Sequence, residues 1–362
     1  MKENKCLSNI IYNIIIPRLD YTAPINVAID LAAESIKFGY KVNLYYLSDF
    51  PVRSDLSKFN IIKKFNFFDF FKINGIVHTH GLRSDLVGGL LSFKKKCITV
   101  TTLHGEYPNH ISYSYPSWKV KVASLLLFIA LGRFSCVVCI SDSMRKHYKK
   151  ILPHINYELI YNSRSLARKT QQSNENTKIL QWINEKKKKK FFVLCYVGSL
   201  TTRKRILPFI KFLFNFKKTA LIICGEGNLT SAVEEAIYKN NNFLYAGYID
   251  NPSCIISKSD ILVLPSYDEG FPLVILEAAS VGVPALLSDI KVHREISRLG
   301  FGNTFKFGDI NSFRESLQET IKTSDSLKLK DMYIKKYSST SGFKKYDFLF
   351  KKLLSNLKNN KS

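Results

Sequence analysis

Short apolar runs with no polar alternation recur along almost the whole chain, separated by stretches long enough to form a helix. In the first half these runs are IIYNIIIP (Ile10 to Pro17), YKVNLYYLS, GIVHTH, KCITVTTLHG, CVVCIS and YELIYNS. Helix-like segments lie between them at Asn26 to Phe38, Arg83 to Phe93 and Ser117 to Arg133. In the second half FFVLCYVGSL, TALIICGEG, NFLYAGYI, DILVLPS and VPALLSD repeat the rhythm. A strand that is apolar on both faces is buried on both faces, so this pattern predicts parallel sheets covered by helices on each side. No apolar run approaches the roughly 20 residues of a membrane-spanning helix, so the chain reads as globular.

With 362 residues there is room for two domains, each with its own core. The rhythm breaks at SRSLARKTQQSNENTKILQWINEKKKKK, Ser163 to Lys190, which is polar at first and ends in five lysines. The expected organisation is a doubly wound domain over residues 1–165, a charged linker over 166–190 and a second doubly wound domain over 191–335. A terminal helix follows over 336–362, with an apolar stripe of Phe343, Tyr346, Phe350, Leu353 and Leu354 expected to pack back across the hinge.

Chemistry concentrates in PSYDEGFPLVILEAASVGVP, Pro265 to Pro284. Pro272 suits the first position of a helix running to about Gly282. Leu273, Val274, Ile275, Leu276, Ala278, Ala279 and Val281 leave that helix no polar face, which predicts that Glu277 is buried. A buried carboxylate needs donors. A protein Arg or Lys could supply them, or a ligand with two adjacent hydroxyls, as a ribose has. Loops at the carboxyl ends of parallel strands are where open α/β sheets bind ligands, and a helix N-terminus suits phosphate. YVGSLTTRKRI then supplies Gly198 for a close turn and Arg203 and Lys204 as cations for a diphosphate. CGEGN, Cys224 to Asn228, is a second glycine loop at the same sheet edge.

These elements resemble the nucleotide-sugar-binding half of retaining GT-B glycosyltransferases of the "glycosyl transferases group 1" type (family 4). The matching stretches are VGSLTTRK, LIICGEGN, NFLYAGYI, SDILVLPSYDEGFPLVILEAASVGVPAL, which holds the E-x(7)-E pair Glu269 and Glu277, and SDIKVHREI. The first half resembles the family through GIVHTHG, TVTTLHGEY and LIYNS. The resemblance implies a GT-B architecture, two Rossmann-like domains facing across a cleft. It assigns Glu277 to the ribose hydroxyls and Lys204, with Arg203, to the diphosphate. Glu269, with the backbone around Gly270, Phe271, Pro272 and Leu273, would hold the donor sugar. Tyr248 and Ile249 would flank the base, and His104 would contact the sugar near the reacting carbon. The chain departs from the family at Ser199, often Arg there, and at PRLDYTAPIN, which replaces a glycine-rich first loop.

The implied reaction is transfer of a sugar with retention, from a nucleotide-diphosphate sugar with UDP as carrier, needing neither metal nor cofactor. The implied acceptor is a glycan or lipid-linked molecule in polysaccharide or lipopolysaccharide synthesis. Epimerases and phosphorylases of the same fold remain as alternatives.

A net charge of +25 calls for an anionic partner. YSYPSWKVKVASLLLFIALGRFS, Tyr113 to Ser135, is too short to span a bilayer but has the composition of a surface-lying helix; the other reading is a helix buried under the first sheet. Together with other basic patches it points to an anionic membrane surface. No RNA- or DNA-binding module is recognisable, so nucleic acid is not expected as a partner. The opening MKENKCLSNIIYNIIIP carries no small-residue cleavage site, and seven cysteines, an odd number in mostly apolar runs, form no disulfide framework. CVVC reads as strand packing. The expected location is the cytoplasm, with peripheral attachment to the inner face of the membrane.

Overall fold

A computed structural model of the chain describes residues 10–49, 59–107, 112, 116–165, 174–238 and 240–359. Cys6, most of the segment weighed as a leader, Tyr113 to Tyr115, and 166–173 of the expected linker lie outside them. The chain forms two compact units, one from residues 1–165 and 337–362, the other from 166–336.

The first unit holds a seven-stranded sheet of β1 (Ile11–Ile16), β2 (Lys41–Tyr46), β3 (Ile61–Lys64), β4 (Gly75–His80), β5 (Cys97–Leu103), β6 (Cys136–Cys139) and β7 (Tyr157–Leu159), in the order β3-β2-β1-β4-β5-β6-β7. Every pairing is parallel. β5 is buried along its entire length although it contains three threonines. Their hydroxyls find internal hydrogen-bond partners, as where Thr101 donates to Asp85 Oδ1 at 2.7 Å, so a polar-looking strand survives in a dry layer. Cys136 and Cys139 are strand residues facing the core, as their apolar neighbours indicate.

The terminal helix Ser339–Asn359 belongs to this first unit. Phe343 and Phe350 pack against Tyr40 and Tyr12, and Tyr40 donates to Asp347 Oδ1 at 2.6 Å. Ser339 and Thr340 donate to the two oxygens of Glu34.

The second unit carries β8 (Phe192–Val197), β9 (Thr219–Cys224), β10 (Phe243–Gly247), β11 (Ile261–Leu264), β12 (Ala285–Ser288) and β13 (Gly302–Phe305), ordered β10-β9-β8-β11-β12-β13. All pairs are again parallel. Phe209, Phe212, Phe305 and Phe313 fill its core. The order reverses between β8 and β11, so this is the topological switch point, where the loops after the strands part and leave a crevice.

One expectation changes, and of two readings of another segment the buried one falls away. Much of the charged linker is a helix, Asn174–Lys188, seated in the second unit by buried Ile179 and Ile183; an apolar pair one turn apart within a polar stretch is enough to anchor a helix. The helix Ser117–Leu131 is not enclosed. Val120, Ser124 and Leu127 face inward, while Trp118, Val122, Leu125, Leu126 and Ile129 are exposed. No helix among the described residues is long and apolar enough to cross a membrane.

Candidate active site

Strands β8 and β11 end side by side at the switch point, and the loops that follow them bring the key side chains together. After β8, Thr202–Lys204 form a single 3-10 turn, and Arg205 adopts φ 55° before the helix Ile206–Leu213 begins. That left-handed conformation is costly for a non-glycine residue. The Arg205 guanidinium is stacked 3.4 Å from the Tyr267 ring centroid and 4.4 Å from that of Phe307, which holds the turn. Of the three consecutive cations, Arg205 is therefore structural, and Arg203 and Lys204 face the loop after β11.

That loop carries Glu269, a buried residue. Lys204 Nζ donates to Glu269 Oε1 at 2.5 Å, and Ser266 Oγ donates to the same oxygen at 2.7 Å. Arg203 Nη1 donates to the Asp268 carbonyl at 2.7 Å and reaches Glu269 Oε2 at 3.4 Å. A backbone bond from Tyr267 N to the Arg203 carbonyl, 2.9 Å, ties the two loops directly.

Burial alone would raise the Glu269 pKa. The charges of Lys204, Arg203 and His293, with the Lys204 hydrogen bond, instead hold it at about 2. Burial pushes the Lys204 pKa down, and Glu269 offsets part of that. At neutral pH Glu269 is thus an acceptor only. Two cations, Lys204 and Arg203, thus converge on this loop beside the acids Glu269 and Asp268.

Beneath the loop lies a polar shelf that the sequence did not single out. Ser288 Oγ, at the end of β12, donates to the Ser266 carbonyl at 2.6 Å. His293 Nδ1 sits 2.9 Å from the Ser288 carbonyl. His293 is fully buried, and burial pushes its pKa down to about 4, so its neutral Nδ1–H donates there. The stretch SDIKVHREI contains both residues, but nothing in its spacing marks a contact to a serine two strands' length away.

The glycine loops meet as backbone. A Cβ on Gly225, φ 134°, would lie 2.0 Å from the Gly198 carbonyl oxygen. Only glycine allows that approach, and Gly198 N bonds the Cys224 carbonyl at 3.0 Å alongside it. Lys204 Cε passes within 4.0 Å of where a Cβ on Gly198 would be.

The helix after Glu269 runs Leu273–Val281, with Pro272 as its N-cap in an extended conformation and not its first residue. Gly270, Phe271, Pro272 and Leu273 are all buried. Glu277 is not. It is half-exposed, on a stripe shared with Val274, Ser280 and Val281. The apolar valines on that stripe hid the open face from a sequence-based reading. The buried carboxylate of the pair is Glu269. Tyr248 is exposed and Ile249 half-buried, both just past the end of edge strand β10.

In the first unit, His104 follows β5 and is half-buried. Its Nε2 lies 3.0 Å from Nδ1 of buried His80. His78, on the same strand as His80, links the Tyr12 hydroxyl at 2.6 Å and Thr102 Oγ1 at 2.7 Å. Burial, then the neighbouring imidazoles, push His80 well below its ordinary pKa, and burial, then His104, push His78 down to about 3. Both are neutral rings at physiological pH. Among the described residues no cluster of His, Cys, Asp or Glu is arranged to hold a metal ion.

The sequence pattern of the family described as "Glycosyl transferases group 1" matches residues 178–338, and that of "Glycosyltransferase Family 4" matches residues 71–168. Residues 178–338 therefore carry the glycosyl transferases group 1 pattern. The chain has the GT-B fold of two Rossmann-like units. It is 27% identical over 61% of its length to an O-antigen biosynthesis glycosyltransferase, WclY, of Escherichia coli. The match spans 63% of that relative, so just under two thirds of its length is represented. It is 26% identical to the E. coli UDP-Gal:alpha-D-GlcNAc-diphosphoundecaprenol alpha-1,3-galactosyltransferase, over 74% of this chain and 69% of the relative. Among solved structures, Alr3699/HepE of Anabaena in complex with UDP superposes with a TM-score of 0.74, covering 95% of this chain and 100% of that one at 13% identity.

Proposed function

We propose that this protein is a retaining glycosyltransferase that moves a sugar from a UDP-sugar to a glycan or lipid-linked acceptor in cell-surface polysaccharide or lipopolysaccharide synthesis. The observation that carries the proposal is the buried Glu269 carboxylate held by Lys204, Arg203 and Ser266 at the β8/β11 switch point. The two E. coli relatives, one an O-antigen enzyme and the other named for a UDP-Gal donor and a diphosphoundecaprenol acceptor, support the substrate classes.

In this reading Lys204 and Arg203 take the diphosphate. An ammonium has three donors and a guanidinium five, so each keeps N–H groups beyond those directed at Glu269 and Asp268. As the sugar–oxygen bond breaks, negative charge grows on the leaving diphosphate, and these fixed cations together with the N–H groups at the start of the helix Leu273–Val281 stabilise it. No catalytic metal is then needed, and no bound cofactor takes part. Glu277, on its half-exposed stripe, accepts from the ribose diol. Tyr248 and Ile249 flank the base, and Gly198 lets the backbone approach the phosphates.

Glu269 cannot be a general acid with a pKa of about 2, which sets it apart from the proton donor of a glycosidase. A diphosphate leaves without a proton. Among the described residues Glu269 Oε2 meets the longer Arg203 contact, and it retains lone pairs for a sugar hydroxyl. The buried backbone of Gly270, Phe271, Pro272 and Leu273 lines the same side. His104 contacts the sugar near the reacting carbon. The half-exposed apolar face of the helix Ser117–Leu131, with Lys119 and Lys121, attaches the protein peripherally to an anionic membrane where lipid-linked acceptors reside.

The test is transfer from UDP-sugars to a diphosphate-lipid acceptor, with the product's anomeric configuration read by NMR and EDTA in one arm. An axial donor linkage preserved in the product, undiminished by EDTA, is expected. Inversion, loss of activity with EDTA, or conversion of the UDP-sugar in the absence of acceptor would each overturn the corresponding part.

A further inference from the structure

The short helix Phe67–Lys72, sequence FFDFFK, displays three phenylalanines to solvent: Phe67, Phe68 and Phe71 are 72%, 70% and 64% exposed. Their rings touch one another, Phe67 to Phe71 at 5.2 Å and Phe67 to Phe68 at 6.2 Å between centroids. A contiguous aromatic patch in water marks a surface that something covers.

The patch is rigidly mounted. A reciprocal capping box joins Asn66 and Asp69 at the helix start, and Lys63 pairs with Asp69. At the other end Lys94 Nζ donates to the carbonyls of Phe70 at 2.6 Å, Phe71 at 3.0 Å and Ile73 at 2.6 Å. Phe70 alone turns inward, onto the cluster with Leu91 and Ile73. Six residues are too few to hold a helix unaided, so these contacts fix a display of three rings that would otherwise fray.

The patch also continues. Exposed Phe93, next to Lys94 in the chain, lies under the Arg133 guanidinium at 4.7 Å. Gly89, one residue before exposed Leu90, approaches Ala130 so closely that a Cβ would sit 2.9 Å from that of Ala130. Ile129 and Leu126 are exposed beside it. Across 67–96 and 116–133 the acids are Asp69 and Asp85, both buried. The exposed charges there are cations, among them Lys72, Lys95, Lys96, Lys119, Lys121 and Arg133.

We infer that Phe67, Phe68 and Phe71 form a wedge that inserts into the interface of an anionic bilayer, with the surrounding lysines and arginines at the headgroups. Aromatic rings bordered chiefly by positive charge, with Asp49 on Lys64 the nearby exposed acid among the described residues, fit that occupant: the rings bury in the acyl boundary while the cations meet phosphate. This wedge adjoins the helix Ser117–Leu131 proposed above as an attachment, and its own variants tell the two apart.

The experiment is flotation of the full-length protein with vesicles of phosphatidylcholine alone and of phosphatidylcholine with phosphatidylglycerol. Wild type is expected on the phosphatidylglycerol vesicles and to leave them as salt rises. The triple variant F67S/F68S/F71S should lower partition about tenfold or more while its melting temperature and its thermal shift with UDP stay unchanged. In a F68W/W118F protein, brominated lipid should quench the fluorescence of the indole introduced into the wedge. A triple variant that floats like wild type, wild type that binds both vesicles equally, or absence of quenching would overturn the wedge. So would a wild-type dimer that the triple variant dissociates with vesicle binding unchanged, since the patch would then be a face between two copies. A parallel variant, W118S/L125S/I129S, reads the other helix alone, and loss of UDP binding with flotation intact would count against the transferase reading and leave the wedge standing.

Discussion

Glu269→Gln tests the physics of the site without changing its shape. The substitution leaves Lys204 and Arg203 facing a neutral amide in a buried loop. The native carboxyl is held at about 2 against an ordinary 4.5, a gap worth about 3 kcal/mol at neutral pH. Breaking one side of a buried ion pair costs about 3–5 kcal/mol in general, so the two routes agree. Because the folded pKa is the lower one, the stabilisation is fully present above pH 4.5 and is lost only as pH falls toward 2. The chain has two tryptophans, Trp118 in the first unit and Trp182 on the helix Asn174–Lys188 of the second. In a Trp118→Phe background, urea unfolding followed by Trp182 fluorescence therefore reports the unit that holds Glu269. The expected loss is about 3 kcal/mol, the same at pH 8 as at pH 5, and smaller when Lys204→Met is combined with it, because the two residues are coupled. A Gln variant as stable as wild type, or a difference that closes by pH 6, would refute the electrostatic reading.

Three further outcomes follow from the same structure. Glu277→Gln, at a half-exposed position, should change unfolding free energy by no more than about 0.5 kcal/mol yet raise the donor KM about tenfold or more through loss of a charged hydrogen bond, a split that steady-state kinetics and urea titration measure together. His78, with a pKa of about 3, and His293, about 4, are buried neutral, as is His80; their stabilisation is complete above 6.5 and falls as pH drops below it, by about 2 kcal/mol for His78 at pH 5, measured as urea midpoints at pH 7.5 and 5. Asp85, raised to about 7 by burial despite hydrogen bonds from Thr79 and Thr101, is strained when ionised, so Asp85→Asn should stabilise the protein by about 4 kcal/mol at pH 8 and by little at pH 4.

Continuous apolar runs identified the strands because parallel strands buried on both faces admit little else. CITVTTL and TALIIC are buried at every position, and both runs stand out in the sequence. The adjacency of β8 and β11 could not be read the same way, since it joins residues about 67 apart through sheet order, and it is what brings Lys204 to Glu269. Glu277 misled because Val274 and Val281 are apolar residues on an open face, and a helix's exposure is decided by what packs on it, not by its composition. The helix Asn174–Lys188 was missed for the opposite reason: two isoleucines anchor a segment whose remaining residues are polar. Ser288 and His293 act through backbone carbonyls, and contacts of that kind leave no spacing signature. Within FFDFFK, which the sequence reading passed over, only the structure separates the three outward rings from the one that packs inward.

The most direct test of the diphosphate site is calorimetric titration of UDP and of uridine into wild type and Lys204→Met. Wild type should bind UDP much more tightly than uridine, and in the variant that advantage should shrink by about a hundredfold with uridine affinity unchanged. UDP binding that survives Lys204→Met at full strength, or a wild type indifferent to the phosphates, would contradict it.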